Sequence, residues 1–275
     1  MTICLGFIQR SEELKLIFNN NNKEVIIMAK ILITGGSGTI GLELTRYLSK
    51  HHDLTVVDYE FNDFPDDLKN QVQLIEKDLI DPNEWNGLLN GIQYIIQLAG
   101  QPDPDAEFYG DLLELNYKLP HNLFEEAKKT KSLKRVIFAS SIHVVDAYPE
   151  DVQVSTSDTV RPGDLYGVSK VYLEGLAAYH AYVNGIESIG IRIGNYHDSN
   201  RELKTDEDKH GLAMYLSYRD MNHLIDCCIE SELEEPFLIV NGLSNNTFLR
   251  LSLEEARIKL GYQPEDNAFE MNNIL

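Results

Sequence analysis

The sequence predicts an α/β fold built on a doubly wound parallel sheet. Short apolar, β-branched runs alternate with segments of helical periodicity along most of the chain. The first run leads directly into a glycine-rich turn and then a helix, and the second run ends in an acidic residue. Helices on both faces of such a sheet explain why the runs are continuously apolar instead of alternating with polar residues.

The composition narrows the classes of partner. The chain of 275 residues carries a formal net charge of −20 and has a pI of about 4.7. A surface this acidic repels phosphate backbones and anionic lipids, which argues against nucleic acid or a membrane as partner. The sequence contains no run of about 18 apolar residues, so no transmembrane helix is predicted. Cys4, Cys227 and Cys228 lack the spacing of metal ligands, so we expect no metal site and a reduced, cytoplasmic setting.

The N-terminal segment differs from the rest of the chain. In residues 1–28 an apolar start is followed by charged residues and the run Asn19–Asn22, with no small-residue cleavage site. We therefore predict that residues 1–28 are an extension that is disordered or precedes the native start. Residues 29–275 are expected to form a single domain, with substrate-binding elements from about residue 196 to residue 275.

The glycine-rich turn follows a predicted buried strand, Lys30–Thr34. Gly35 permits a tight turn, Gly38 lets a pyrophosphate approach the backbone, and Gly41 lets the following helix pack against the strand. That helix is predicted to run to about Leu48, and its first N–H groups are free to bind phosphate oxygens. A strand, a glycine turn and a helix in this order predict a dinucleotide site.

The acidic residue at the end of the second strand, Leu54–Asp58, indicates which dinucleotide is bound. A carboxylate at this position accepts hydrogen bonds from the adenosine ribose hydroxyls and repels a 2′-phosphate. We therefore predict NAD rather than NADP. The alternative interpretation of Asp58 is an ordinary carboxylate in a solvent-facing loop.

The remaining elements continue the alternation of strands and helices. Further strands are predicted at Val72–Ile75, Tyr94–Gly100, Arg135–Ser141, within Ile186–Ile193, and at Phe237–Val240. Further helices are predicted at about Ala106–Lys129 with a kink or break at Pro120, at about Tyr166–Asn184, at Leu212–Glu230 and at Leu253–Leu260.

Tyr166 and Lys170 are the candidate catalytic pair. On a helix their four-residue spacing puts the phenol and the ammonium group on one face. A nearby cation stabilises a phenolate and lowers its pKa, so that the phenol can exchange a proton with a substrate hydroxyl. The alternative is an ordinary helical tyrosine beside a solvated lysine.

These motifs together resemble the extended short-chain dehydrogenase/reductases, which include NAD-dependent epimerases and dehydratases. The residues that carry the resemblance are Thr34–Gly41, Asp58, Asp78, Leu79, Leu98–Gly100, Asn116, Ser140, Ser141, Tyr166–Lys170, Arg192 and Asn195. The resemblance implies a Rossmann-type fold with a small C-terminal substrate-binding part. It also implies an NAD-dependent enzyme that acts on a CH–OH group.

The resemblance assigns roles to single residues as well. It implies that Tyr166 is the acid/base, that Lys170 lowers its pKa and holds the nicotinamide ribose, that Ser141 binds the substrate oxygen, and that Asn116 supports the proton path or the cofactor. The residues implied to bind the cofactor are Gly35, Gly38, Thr39, Ile40, Gly41, Asp58, Asp78, Leu79, Leu98, Ala99, Gly100, Tyr166, Lys170 and Ile193.

Within the family the sequence is most similar to uronate dehydrogenases, in segments such as Phe138–His143 and Arg161–Gly167. This similarity implies oxidation of an aldohexuronate at C1 to its lactone. Where an arginine is expected to hold the uronate carboxylate, the chain has His210, so either Arg201 or Lys204 replaces that arginine or the substrate is a neutral sugar. The residues implied to bind substrate are Ser141, His143, Asn195, Arg201 and His210.

Two other functions stay open. A nucleotide-sugar epimerase or dehydratase with bound NAD is expected to need more chain after the sixth strand than this sequence has. A non-catalytic dinucleotide-binding regulator would not need Ser141, Tyr166 and Lys170 together. We also expect a homodimer, because the helix of Tyr166 is apolar nearly all round and its outer side then requires a cover.

Overall fold

A parallel sheet forms the centre of the molecule, in a computed structural model that describes residues 16–17, 26–197 and 209–274. The strands, labelled in chain order from residue 30, are β1 (Lys30–Thr34), β2 (Asp53–Asp58), β3 (Gln73–Glu76), β4 (Tyr94–Gln97), β5 (Arg135–Ser141), β6 (Ser188–Ile193), β7 (Asn195–His197), β8 (Tyr215–Ser217) and β9 (Phe237–Gly242). In the described residues, seven of these strands form one sheet in the order β9-β6-β5-β4-β1-β2-β3, and every neighbouring pair is parallel. The predicted doubly wound sheet is confirmed.

Helices alternate with the strands. The longer ones are α1 (Thr39–Leu48), a π-helix (Phe108–Lys118), α2 (Leu119–Ala127), α3 (Leu165–Asn184), α4 (Tyr218–Glu230) and α5 (Glu254–Leu260). Short helical segments lie at Asp66–Lys69, Pro82–Trp85, Ile142–Val144, Lys209–Leu212 and Ala268–Met271. Leu16–Ile17 pairs with Ile26–Ile27 as a separate antiparallel ladder. No helix in the described part of the chain is long and apolar enough to cross a membrane.

The sheet is covered on both faces. Side chains of successive residues alternate between the faces, so Ile31 and Ile33 belong to one buried cluster while Leu32, between them, belongs to the other. All three are fully buried, which accounts for the continuously apolar sequence of β1. The parallel register brings the carboxyl ends of the strands to one edge, where Thr34 pairs with Gln97 and Ser141 with Ile193. Polar residues at several strand ends therefore meet in one place.

Two helical segments differ from their predictions. The helix predicted over about Ala106–Lys129 is continuous from Phe108 to Ala127, so the predicted break at Pro120 is wrong. The helix instead changes from π to α at Leu119, and Pro120 lies in the first turn of α2, where an absent N–H group costs little. The segment Leu212–Glu230 is largely helical as predicted, with α4 over Tyr218–Glu230, but it also contains a short strand. Tyr215–Ser217 is strand β8, which pairs with β7, and Ser217 then caps α4 by accepting a hydrogen bond from the Asp220 N–H.

Candidate active site

One large cleft lies along the carboxyl edge of the sheet. Its volume is about 1060 Å³, which is at the upper end of the range for small-molecule sites. All fourteen residues predicted to bind the cofactor line this cleft: Gly35, Gly38, Thr39, Ile40, Gly41, Asp58, Asp78, Leu79, Leu98, Ala99, Gly100, Tyr166, Lys170 and Ile193. The predicted catalytic and cofactor regions therefore share one cavity.

The glycine turn has the shape that a dinucleotide requires. Gly35 has a φ of +71°, and a Cβ at this position would lie 2.7 Å from the backbone nitrogen of Ala99. A Cβ at Gly41 would lie 2.3 Å from the carbonyl oxygen of Gly35, so α1 packs directly on the turn. No side chain caps α1 at Gly38 and its first turn has no acidic residue, which leaves this helix end suited to phosphate. These residues fit NAD.

Asp58 is held in place by the glycine turn. Its Oδ2 accepts hydrogen bonds from the backbone N–H and the hydroxyl of Ser37, at 2.9 and 2.5 Å, and its Oδ1 accepts one from the N–H of Tyr59 at 2.7 Å. The carboxylate is thereby fixed in the lining of the cleft. Ser37 was not among the predicted site residues, because a serine inside a glycine-rich turn carries no separate signal of its own.

Tyr166 is buried and lies beside Ser141 at the end of β5, close enough for the Ser141 hydroxyl to influence its pKa. Burial is the largest influence on the phenol and raises its pKa. The hydrogen bond from Ser141 lowers the pKa and the charge of Asp164 raises it, so the net shift is upward. The chain's own groups therefore hold Tyr166 as a neutral phenol.

Lys170 lies beneath the phenol and is also buried. Its Nζ donates a hydrogen bond to the carbonyl oxygen of Ala139 at 2.9 Å and lies 5.4 Å from the centre of the Tyr166 ring. Burial lowers the pKa of Lys170 to about 8. Because the amine is directed to Ala139 and burial is the largest influence on the phenol, the lowering of the Tyr166 pKa by Lys170 stays a prediction.

Asn116 lies behind the cleft lining and connects three segments. Its Oδ1 accepts a hydrogen bond from the N–H of Gln101 at 2.7 Å, and its Nδ2 donates to the Gln101 carbonyl at 3.0 Å and to the Ser169 hydroxyl at 2.8 Å. Ser169 in turn donates to the carbonyl of Tyr166 at 2.7 Å. Asn116 thus connects the turn after β4 to the helix of Tyr166.

His143 lines the cleft beside Tyr166, and the two rings meet edge to face with centres 5.4 Å apart. Its Nδ1 lies 2.6 Å from Oδ2 of Asp164, the residue that caps α3. Asp164 was missed as a site residue. Its position immediately before the helix of Tyr166 is a recognisable N-cap signal, but no feature of the sequence connects it with His143.

The predicted substrate residues separate into three groups. Ser141, His143 and Asn195 line the cleft, and Asn195 also donates a hydrogen bond from Nδ2 to the Gly211 carbonyl at 3.1 Å. His210 is partly buried in the helix Lys209–Leu212 and is not part of the cleft lining. Arg201 lies outside the described residues.

Comparison with known proteins identifies the family. The family profile described as "NAD dependent epimerase/dehydratase family" matches residues 31–214, which include the glycine turn, Ser141 and the Tyr166–Lys170 pair. The chain belongs to this family. The resemblance stated above, the Rossmann-type fold and NAD as cofactor are therefore confirmed, and the chain is an NAD-dependent enzyme of this family.

Several similar proteins are named dehydrogenases. An NAD-dependent glucose-6-phosphate dehydrogenase of Haloferax volcanii is 31% identical over 87% of this chain and 94% of its own length. A uronate dehydrogenase of Pseudomonas putida is 29% identical, over 87% of this chain and 85% of its own length. The solved structure of a uronate dehydrogenase from Agrobacterium tumefaciens superposes with a TM-score of 0.79 at 26% identity, covering 90% of this chain and 88% of that one.

Proposed function

We propose that this protein oxidises an aldohexuronate at C1 to the corresponding lactone with NAD. The observation that carries the proposal is that Ser141, Tyr166 and Lys170 line one cleft together with the glycine turn, with Nζ of Lys170 5.4 Å from the centre of the Tyr166 ring. Two adjacent hydroxyls can bind one substrate oxygen and exchange its proton at the position where a nicotinamide would lie. The dehydrogenase names of the similar proteins support the coarser statement that the substrate is a sugar or sugar derivative.

Each of these groups has a separate task in the proposed reaction. Ser141 donates a hydrogen bond to the C1 oxygen and stabilises the negative charge that develops on it. Tyr166 in its deprotonated form accepts the proton of the C1 hydroxyl. The chemistry that bound NAD supplies is acceptance of the hydride that leaves C1. Lys170, with a pKa of about 8, is mainly protonated at neutral pH and keeps a positive charge below the phenol.

The charge of the cleft bears on the substrate. Among the described residues that line it, the lysines are Lys77, which is paired with Glu84 at 2.6 Å, and the buried Lys170. A uronate carboxylate would therefore depend on His143 or on the segment that contains Arg201. A neutral aldose is the main alternative, and one similar protein of Haloferax volcanii, 31% identical, is named L-arabinose 1-dehydrogenase.

A different reaction is the second alternative. The structures of UDP-glucuronic acid 4-epimerase from Bacillus cereus superpose with a TM-score of 0.72, but at 17–18% identity they support the shared fold alone. An epimerase keeps its NAD bound and oxidises and reduces one substrate in turn, whereas a dehydrogenase releases NADH. Release of free NADH therefore separates the two functions.

The test is NADH formation by the full chain, followed by absorbance, with galacturonate, glucuronate, glucose 6-phosphate, glucose and arabinose. We expect the highest kcat/KM with a uronate. The Tyr166→Phe variant is expected to bind NAD normally and to lose about 10²- to 10⁴-fold in kcat, because only the proton acceptor is removed. A higher kcat/KM with a neutral aldose would overturn the uronate assignment, and no free NADH with any sugar would overturn the dehydrogenase.

The proposal also covers the domain organisation and the oligomeric state of the protein. We infer that residues 29–275 act as one domain and that the part from about residue 196 onward contributes to substrate binding. We also infer a homodimer, because the outer side of α3 exposes Tyr179, Tyr182 and Val183, each more than half exposed. A monomeric mass at micromolar concentration would contradict the dimer, and a Val183→Glu variant should dissociate it.

A further inference from the structure

His143 and Asp164 form a hydrogen-bonded pair at the edge of the cleft. Nδ1 of His143 lies 2.6 Å from Oδ2 of Asp164, and Oδ1 of Asp164 accepts a hydrogen bond from the N–H of Gly167, also at 2.6 Å. An ionised carboxylate can only accept hydrogen bonds, so the proton of a neutral imidazole must be on Nδ1. Nε2 of the neutral ring is then a hydrogen-bond acceptor.

The imidazole is fixed by its surroundings as well as by Asp164. The N–H of His143 donates to the hydroxyl of Ser141 at 3.2 Å. The carbonyl of His143 packs against Gly167 so closely that a Cβ on this glycine would lie 2.3 Å from the oxygen. The ring itself contacts the edge of Tyr166. About a quarter of the His143 side chain stays exposed, and the residue lines the cleft.

We propose that Asp164 is a positioning residue that sets the tautomer of His143, so that Nε2 accepts a hydrogen bond from the substrate hydroxyl next to the one that is oxidised. This proposal rests on the proposed dehydrogenase function. It specifies the substrate class as a vicinal diol, in which one hydroxyl meets Ser141 and Tyr166 and the next meets His143. In an aldose oxidised at C1, the second hydroxyl is that of C2.

The test uses Asp164→Asn, which reverses the hydrogen-bond polarity with little change of shape. The amide oxygen keeps the cap on the Gly167 N–H, and the amide NH₂ replaces the oxygen that faces His143. Nδ1 then has to accept a hydrogen bond, so the proton moves to Nε2, which becomes a donor facing the hydroxyl. We expect kcat/KM to fall about 10- to 100-fold, mainly through KM, with an unchanged thermal midpoint.

Two controls separate the tautomer from other effects. Asp164→Ser keeps a capping hydroxyl but leaves His143 free to adopt either tautomer, so its loss should be clearly smaller, about 3- to 10-fold. With a 2-deoxy sugar, or in a His143→Ala background, Asp164→Asn should have no further effect, since the contact that it disrupts is then absent.

The tautomer is also measured directly by imidazole ¹⁵N chemical shifts of the histidine-labelled chain, with the His143→Ala spectrum used for assignment. We expect a proton on Nδ1 in the unmodified chain and on Nε2 in Asp164→Asn. A proton on Nε2 in the unmodified chain overturns the proposal, as does a changed tautomer with unchanged kcat/KM. If no sugar yields NADH, the proposed function fails and the diol assignment with it, while the shifts still decide the role of Asp164 in setting the tautomer.

Discussion

Ser140 and Ser141 are neighbours on β5, but their side chains make different contacts. Ser141 lies beside Tyr166, and its hydroxyl accepts a hydrogen bond from the N–H of His143 at 3.2 Å. The hydroxyl of Ser140 donates to Oε1 of Glu174 at 2.6 Å inside the protein. Successive side chains of a strand point to opposite faces, so Ser140 reaches Glu174 in the interior while Ser141, one residue on, lies beside Tyr166. Both nevertheless contact the same helix, α3.

The interior contact of Ser140 belongs to a buried ion pair. Glu174 accepts hydrogen bonds from Nε and Nη2 of Arg192, both at 2.9 Å, and both residues are more than nine-tenths buried. Nη1 of Arg192 has no hydrogen-bond partner in the described part of the chain. The pair ties α3 to β6 directly behind the catalytic residues. The candidate catalytic residue Ser141 and Ser140, which contacts the stabilising ion pair, are therefore adjacent in sequence.

The largest expected effect is the loss of stability when the buried ion pair of Glu174 and Arg192 is broken. Glu174→Ala should lower the free energy of unfolding by about 3–5 kcal/mol, because Arg192 would be left as a buried, uncompensated charge. Urea denaturation measures this change. Glu174→Gln is the matched control and should lose less, since its amide oxygen can still accept a hydrogen bond from Arg192. A loss below about 1 kcal/mol for Glu174→Ala would show that water reaches the arginine and that the pair is not a support.

The second prediction concerns the serine of the cleft. Ser141→Ala should lower kcat by about 10²- to 10³-fold, the usual cost of one missing donor to a developing oxyanion, with little change in stability. The hydrogen bond from Ser141 lowers the pKa of Tyr166, so its removal raises that pKa further. Because oxidation requires the deprotonated phenol, the acidic limb of the pH–rate profile should move to higher pH. A profile that stays in place would contradict the Ser141–Tyr166 contact.

The cofactor half of the cleft, at the carboxyl edge of the sheet, is the part that the sequence could predict. Strand ends and turns are local features, so the edge with Gly35, Asp58 and Ser141 followed from short apolar runs and their flanking residues. The cofactor half of the cleft was therefore predictable, and its glycine geometry agrees with the expectation. Asp58 was predicted in the same way, although its contact with Ser37 was not.

Contacts between distant segments could not be predicted in the same way. His143 and Asp164 are 21 residues apart, and only the close packing of His143 on Gly167 brings them together. Burial raises the pKa of Tyr166, an influence that the sequence could not show, because desolvation depends on the whole fold and not on the spacing to Lys170. Strand β8 was missed because Tyr215–Ser217 is too short to show an alternating pattern.

The smallest expected effect concerns the other serine. Ser140→Ala removes one hydrogen bond to Glu174 and leaves both contacts with Arg192, so it should cost about 1–2 kcal/mol of stability in urea denaturation. Because its hydroxyl faces away from the cleft contact of Ser141, kcat should stay within about threefold of the unmodified chain. A kcat as low as that of Ser141→Ala would contradict the division of roles between the two serines. Additive effects in the Ser140→Ala/Ser141→Ala double variant would instead show that the contact of Ser140 with Glu174 and the proposed role of Ser141 in catalysis are independent.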